Sequence, residues 1–522
     1  MPAEHAEWRP RYNPWIVAVS VMLATFMEIL DTSVANVALP HIAGTLSATP
    51  EEATWVLTSY LVSNAIVLPT AAWWSGLFGR KRFLLTCILI FTVSSMLCGA
   101  ATSLGLLVVA RVFQGAGGGA LQPIAQSVLL ESFPPSRRGI AMATYGMGVV
   151  VAPIIGPTLG GWITEEYTWR WVFYINLPIG ILAFLMSQAF VEDPPYIRRS
   201  RAGRIDYLGF GLMAVGLGAL QIMLDKGQEE DWFSSSWICW LAAIAGVGLI
   251  GFIVRELTTD HPIVDLRIFL NRNFAVGTCL IGLLGVILYS TIAMLPLYLQ
   301  LLMGYNAYLS GLTMTPRGLG AFTSNVLVGR LLVGRIDSRL VIGTGLSFLA
   351  LSCWLFSHMN LSIAMSSVVW PNFLNGVATA TVFVALTTTT MGMLRNEQLG
   401  NAAGMFNLMR NLGGGVGIAA TTTFLARGAQ VHQVYLVSHL TPSDPTMQSW
   451  LAKAQGAIQP QVGGPEAGPK TLGLLYNVVG QQAQLLAFMD NFRLVSLLAI
   501  LAVPLVALFK RPKPHRAASP AH

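Results

Sequence analysis

The chain has 522 residues, of which 54% are hydrophobic and 11% are charged. Soluble domains carry about 25% charged residues, so the composition excludes a water-soluble globular protein and points to a polytopic membrane protein. The net charge of +7 reads as a topology signal, with no nucleic-acid partner expected, because the basic residues fall between apolar segments.

Residues 1–14 form a polar tail. The first apolar stretch runs from Trp15 to about Leu39, too long for a signal-peptide core, and is expected to stay as the first span. Applying the same length of about 20 mostly apolar residues along the chain gives fourteen spans: 15–39, 54–75, 83–103, 105–130, 140–163, 172–191, 206–225, 237–255, 274–299, 308–329, 340–357, 362–393, 401–426 and 488–509. The segment 362–393 is long and is expected to tilt or bend near Pro371. With the N-terminus in the cytoplasm, 22 of the 31 Lys and Arg residues fall on the inner side, among them Arg80, Lys81, Arg82, Arg198, Arg330 and Arg335, and five on the outer side. A wrong span count would scramble this alternation. It holds to the end, which places both termini inside.

Residues 427–487 then form an outer loop. Its first part is rich in Pro, Gly and Gln; its second, Thr471–Met489, has apolar residues at helical spacing and is expected to be an interfacial amphipathic helix. Within it, Gly463 to Thr471 mimics a phosphate-binding loop, but Pro469 intrudes before Lys470 and no strand precedes it, so no nucleotide site is expected. The five cysteines lie in apolar segments without CxxC spacing, which argues against disulfides and metal. No cofactor is expected.

Two short motifs recur in order. Ala72 to Arg82, ending in Gly79-Arg80-Lys81-Arg82, is echoed 257 residues on by Gly329 to Arg339. Arg111-x-x-Gln114-Gly115 is echoed 261 residues on by Asn372-x-x-Asn375-Gly376. This suggests two six-helix halves, 15–191 and 274–509, joined by an inserted pair at 206–255, with a cytoplasmic tail at 510–522. Parallel repeats of this kind build transporters with the substrate site at midplane between the halves.

Inside the fifth span lies Ala152-Pro153-Ile154-Ile155-Gly156-Pro157-Thr158-Leu159-Gly160-Gly161. Proline removes a backbone hydrogen bond and kinks a helix. Glycines let two helices approach closely. A bend or a tight helix seam is expected here. In the first span, Glu28 and Asp31 are three residues apart and share a helix face. Ionisable groups in a span mark function by default. Two close carboxylates cannot both ionise cheaply, so one is expected to hold a proton near neutral pH, as a proton carrier must. One charge moving down about 100 mV releases about 2.3 kcal/mol, enough for a roughly fifty-fold gradient of a neutral solute.

Taken together, these motifs resemble the major facilitator superfamily, and within it the fourteen-span drug:proton antiporters of EmrB/QacA type. The resemblance covers nearly the whole chain. It rests on Leu30-Asp31-Thr32-Ser33-Val34-Ala35-Asn36-Val37-Ala38-Leu39-Pro40 in span 1, Arg111-Val112-Phe113-Gln114-Gly115 in span 4, Gly148 through Gly161 in span 5, and Trp169 through Gly180 at the entry to span 6.

The resemblance implies an all-α major facilitator fold and proton-driven efflux of hydrophobic or amphiphilic toxic compounds across a bacterial inner membrane. It implies no enzyme activity. A periplasmic membrane-fusion protein and an outer-membrane channel are the partners this subtype suggests. A dedicated exporter of one metabolite, such as a siderophore or fatty acid, is the alternative. The fold brings spans 1 and 4 together, so Arg111 is the expected counter-charge to Asp31, with the carboxylate alternating between a proton and the arginine or a cationic substrate. A fixed Asp31–Arg111 pair is the competing expectation.

Pro153, Gly156, Pro157, Gly160 and Gly161 are the implied conformational motif. The loop motif departs from the family at Gly76 and Leu77, where an acid and an arginine are usual. The charge lock between helix ends is therefore expected to be weakened, with Glu131 a candidate partner for Arg80–Arg82. Pocket candidates are Asn36, Tyr60, Asn64, Gln114, Gln122, Gln126, Tyr289, Tyr298, Gln300 and Phe383. Arg317 and Arg410, arginines deep in spans of the second half, join them as residues that either meet an anionic substrate or hold backbone carbonyls. Twenty methionines suit a site that repacks around varied ligands.

Overall fold

The computed structural model describes residues 10–134, 137–194, 206–260, 262–328, 336–392, 394–441, 443–462 and 464–510. Fourteen long helices run through them. The first six are α1 Pro14–Thr45, α2 Trp55–Phe78, α3 Arg80–Ala100, α4 Leu104–Ser132, α5 Arg138–Glu166 and α6 Trp171–Phe190. The inserted pair is α7 Tyr207–Lys226 and α8 Ser236–Thr258. The last six are α9 Arg272–Leu302, α10 Ala307–Leu327, α11 Ser338–Phe356, α12 Met365–Met391, α13 Leu399–Ser438 and α14 Gly464–Ala502. Among the described residues, twelve helices are long and apolar enough to cross a membrane; the more polar α10 and α13 are not among them. Part of the second loop motif, Gly329 to Arg335, and Arg198 lie outside the described residues.

Polar caps set many of the helix starts. Asn13, Ser103, Asp206, Asn271, Asn306 and Asp337 each accept a hydrogen bond from a backbone N–H in the first turn that follows, satisfying donors that a helix leaves free. Gly79 alone separates α2 from α3. Its φ of +86° is open to glycine and strained for other residues. The α3 start is held by Asp193, just after α6, whose Oδ1 accepts from Lys81 N at 2.7 Å.

The internal repeat is visible in the packing. In the first six helices, α1 packs on α4 and α5, α2 and α3 on α4, and α3 on α6. Eight helices later the same scheme returns: α9 on α12 and α13, α10 and α11 on α12, and α11 on α14. The seam between halves obeys the same exchange, since α5 meets α10 and α12 while α13 meets α2 and α4. Single contacts repeat as well. A Cβ at Gly115 would run into the Tyr60 carbonyl, and one at Gly376 into the Arg317 carbonyl. Ser33 donates to the Pro153 carbonyl at 3.1 Å, and Ser290, 257 residues on, donates to the Gly417 carbonyl at 3.0 Å. The inserted pair packs on itself, and α7 leans on both halves through α2 and α13.

One expected loop is helical instead. Residues 427–438 extend α13, Pro445–Val462 is helical, and α14 runs through the expected interfacial segment without a break. Pro465 and Pro469 are both accommodated within helical backbone. The apolar spacing of Thr471–Met489 is divided: Val479, Ala483 and Phe488 are buried, whereas Leu474 and Val478 stay exposed.

Candidate functional site

The glycine–proline run gives α5 its two faces. Pro157 has no N–H to donate to the Pro153 carbonyl four residues earlier, and the Ser33 hydroxyl of α1 donates there at 3.1 Å. A Cβ at Gly156 would overlap the Ser33 side chain, and one at Gly160 would lie 3.0 Å from Val34 Cγ1. Thr164 closes the run by donating to the carbonyls of Gly160 and Gly161 at 2.8 and 3.0 Å. On the opposite side Thr158 fills the place a Cβ would need at Gly311 of α10. The motif is a double seam in which one helix is locked to its own half and seated against the other.

A second glycine run builds the carboxylate site. Residues Gly117-Gly118-Gly119 interrupt α4, which resumes as Leu121–Ser132. A side chain at Gly118 would meet the Tyr60 hydroxyl at 2.7 Å and Glu28 Cγ at 3.2 Å. Its absence lets Glu28 lie buried against α4. Glu28 Oε1 accepts from Tyr60 Oη at 3.2 Å and from Asn64 Nδ2 at 3.1 Å; Oε2 accepts from Gln122 Nε2 at 2.6 Å. All three donors are neutral.

Asp31 has different company. Its Oδ2 takes Arg111 Nη1 at 2.6 Å, and its Oδ1 takes Gln114 Nε2 at 2.9 Å and Asn176 Nδ2 at 2.6 Å. Both side chains of the ion pair have no solvent exposure. Arg111 also donates to the Val56 carbonyl at 3.0 Å and lies 4.3 Å over the Tyr60 ring. Tyr60 thus joins the two clusters, its ring under the arginine and its hydroxyl on Glu28. The expectation that the two carboxylates share one environment does not hold: three residues of helix turn Glu28 toward Gln122 and Asp31 toward Arg111.

Between the halves lies a cavity of about 30 Å³ lined by Ile29, Gln122, Val149, Pro153, Leu288, Tyr289, Ile292, Arg317 and Arg410. Drug-sized ligands fill roughly 300–1,000 Å³, so the halves must part to admit one. Of the pocket candidates, Gln122, Tyr289, Arg317 and Arg410 face this cavity. Tyr60 and Asn64 serve Glu28, and Gln114 serves Asp31. Gln126 accepts from Asn407 at 2.7 Å, and Phe383 stacks on Tyr145 at 6.3 Å. Asn36 and Gln300 are exposed. Tyr298 packs on Phe488 and donates to the Asn360 carbonyl at 2.9 Å, so it belongs to the core of the second half.

Two arginines carry polar capacity that the fold leaves open. Arg317 donates to Thr291 at 2.6 Å and to Asn375. Arg410 donates to Gln122 Oε1 and, at 3.3 Å, to Asn411. Among the described residues, Arg317 Nε and Arg410 Nε and Nη1 are buried with no hydrogen-bond partner. Asn176, Tyr145 and Asn407 were not singled out from sequence. Asn176 sits inside the Trp169–Gly180 motif, which was the available signal; the other two are recognisable only once helices from both halves are placed.

The loop lock is present in another form. Arg80 makes a two-pronged bond to Glu131, Nη1 to Oε2 at 2.6 Å and Nη2 to Oε1 at 2.9 Å, with both side chains buried. Asp193 adds a second tie at the same helix start by accepting from Lys81 N. Removing one partner of a buried pair costs about 3–5 kcal/mol. Arg80→Gln is expected to lower the unfolding temperature of the purified protein, and Glu131→Gln to lower it equally. A wild-type melting curve for either would mean that the pair is not a lock.

The Major Facilitator Superfamily model matches residues 21–418. Fatty acid resistance protein FarB of Neisseria gonorrhoeae is 38% identical over 500 residues, covering 95% of this chain and 96% of its own. Multidrug export protein EmrB of Escherichia coli (strain K12) is 38% identical over 441 residues, covering 84% and 86%. The human organic anion transporter MFSD10 (TETRAN) has the same fold, with a TM-score of 0.59 and 14% identity over 94% of this chain and 100% of its own. The paired six-helix halves and the apolar helices agree with a multi-pass protein of the bacterial inner membrane. The chain belongs to the major facilitator superfamily, and within it to the drug:proton antiporters of EmrB/QacA type.

Proposed function

We propose that this protein exports hydrophobic and amphiphilic compounds in exchange for protons, crossing the membrane fourteen times with both ends in the cytoplasm and catalysing no chemical reaction. The observation that carries the reading is Glu28: a buried carboxyl, held by neutral donors, one residue away from a cavity between two rocking halves. Such a carboxyl can gain and lose a proton without breaking an ion pair of its own. Asp31, closed in by Arg111, Gln114 and Asn176, is the fixed partner of Arg111. The multidrug export protein and fatty acid resistance protein named above support the substrate class.

A second reading, a dedicated exporter of an anionic amphiphile, is favoured by Arg317 and Arg410 in the cavity wall. Proteoliposome transport of ethidium distinguishes the two. Multidrug antiport predicts accumulation that needs an imposed proton gradient, collapses with a protonophore and is inhibited by several unrelated compounds. Transport of oleate with none of ethidium would replace it by the second reading; ethidium transport indifferent to the gradient would contradict proton coupling.

The tripartite assembly has its own support. At 1.5 Å per residue, the 40 residues of α13 span about 60 Å, against a hydrocarbon core of about 30 Å. On the proposed topology the surplus projects outside with the first half of α14 and the helix Pro445–Val462. That projection is where a periplasmic membrane-fusion protein would dock.

A further inference from the structure

We propose that Gln122 is the coupling residue that passes the protonation of Glu28, in the first half, to Arg410 in the second. This rests on Glu28 as the proton carrier. The side chain of Gln122 stands between an anion and a cation. Its Nε2 donates to Glu28 Oε2 at 2.6 Å, and its Oε1 accepts from Arg410 Nη2. A carboxylate needs a donor and a guanidinium needs an acceptor, so the ionised state of Glu28 fixes which way the amide points.

A proton on Glu28 reverses that demand. Oε1 is already taken by two donors, Tyr60 and Asn64, so the proton belongs on Oε2, the oxygen that faces Gln122. The new O–H must donate, and the group before it is the amide N–H₂. Two donors cannot bond. The amide turns over, presents its oxygen to Glu28 and its N–H₂ to Arg410, and the bond to Arg410 is lost. Arg410 already has two buried nitrogens, Nε and Nη1, without a partner among the described residues, and a further unmet donor on a buried cation is costly. The guanidinium must then move into the cavity it lines, where it crowds a bound solute.

The consequence reaches the whole molecule because Gln122 sits at a seam. Gln122–Arg410 and, one turn away, Gln126–Asn407 at 2.7 Å are hydrogen bonds between α4 and α13, one helix from each half. Releasing the first loosens the seam at the moment the proton binds. Other groups facing this cluster are Tyr60 from α2, Tyr145 from α5, Tyr289 from α9, Arg317 from α10, and the Asp31–Arg111 pair beyond the Tyr60 ring. Asp31 and Arg111 are committed to each other, which leaves Glu28 as the carboxyl whose charge the relay follows.

The test is ethidium binding to the purified full-length protein in detergent, followed by fluorescence anisotropy from pH 5.5 to pH 9. The wild type is expected to weaken on acidification by about tenfold or more, the worth of one charge-assisted hydrogen bond. Gln122→Met keeps the volume and loses both bonds; Gln122→Asn keeps the amide but is too short to span both partners. Both are expected to bind with a pH dependence flattened to about twofold or less. Weaker binding with the wild-type pH slope, or loss of binding at every pH in both variants, would overturn the relay and make Gln122 a plain wall residue. Glu28→Gln separates the two levels. A flat profile in Glu28→Gln with a wild-type slope in both Gln122 variants sinks the relay alone. A wild-type slope in Glu28→Gln, or no slope in the wild type, sinks Glu28 as carrier together with the relay.

Discussion

Asp31→Asn is expected to lower the stability of the folded protein by about 3–5 kcal/mol, the cost of leaving a buried charge without its partner. The substitution removes the charge and keeps the shape, so the cost falls on Arg111. That guanidinium has no solvent exposure, and its Nη2 is already without a hydrogen bond among the described residues. The Val56 carbonyl and Gln114 would remain as acceptors, but neither carries charge. Thermal unfolding in detergent measures the effect. Asp31→Asn with Arg111→Gln is expected to recover part of the loss, because a neutral pair leaves no bare cation. An Asp31→Asn protein that melts with the wild type would show that the pair does not hold α1 to α4.

Gly156→Leu is expected to reduce transport about tenfold or more, from overpacking of about 1–3 kcal/mol on a helix that must move against α10. Even a Cβ at this position overlaps Ser33 and comes within 3.3 Å of its backbone carbon. The neighbours cannot retreat, because Ser33 is tied to the Pro153 carbonyl that Pro157 leaves free. Gly44, where a Cβ would meet nothing within 4 Å, is the control: Gly44→Leu is expected to transport like the wild type. Equal activity in the two variants would remove the seam from the mechanism.

Much of the fold could be read from local patterns. Apolar length marked the segments that became long helices, because a chain in lipid has to satisfy its backbone within each segment. Arg80 with Glu131 and Asp31 with Arg111 were both foreseen, the first from charge and the second from the family's motifs. Local pattern failed where partners come from elsewhere in the chain. Asp193 holds the start of α3 through Lys81 N from more than a hundred residues away. Pro465 and Pro469 read as loop punctuation, yet the backbone is helical through both. Glu28 and Asp31 share a helical face by spacing, but a face is wide enough for Glu28 to be held by α2 and Gln122 while Asp31 is held by Arg111, Gln114 and α6. Tyr298 and Gln300 looked like pocket residues by chemistry; packing puts one in the core and the other on the surface.

The central claim is that the transported proton rides on Glu28. Proton-gradient-driven accumulation of ethidium in proteoliposomes, comparing wild type with Glu28→Gln and Asp31→Asn, tests it most directly. Glu28→Gln is expected to lose gradient-driven accumulation outright, whereas Asp31→Asn, once stabilised by Arg111→Gln, is expected still to respond to the gradient. Full gradient-driven accumulation by Glu28→Gln would contradict it and move the proton to another group.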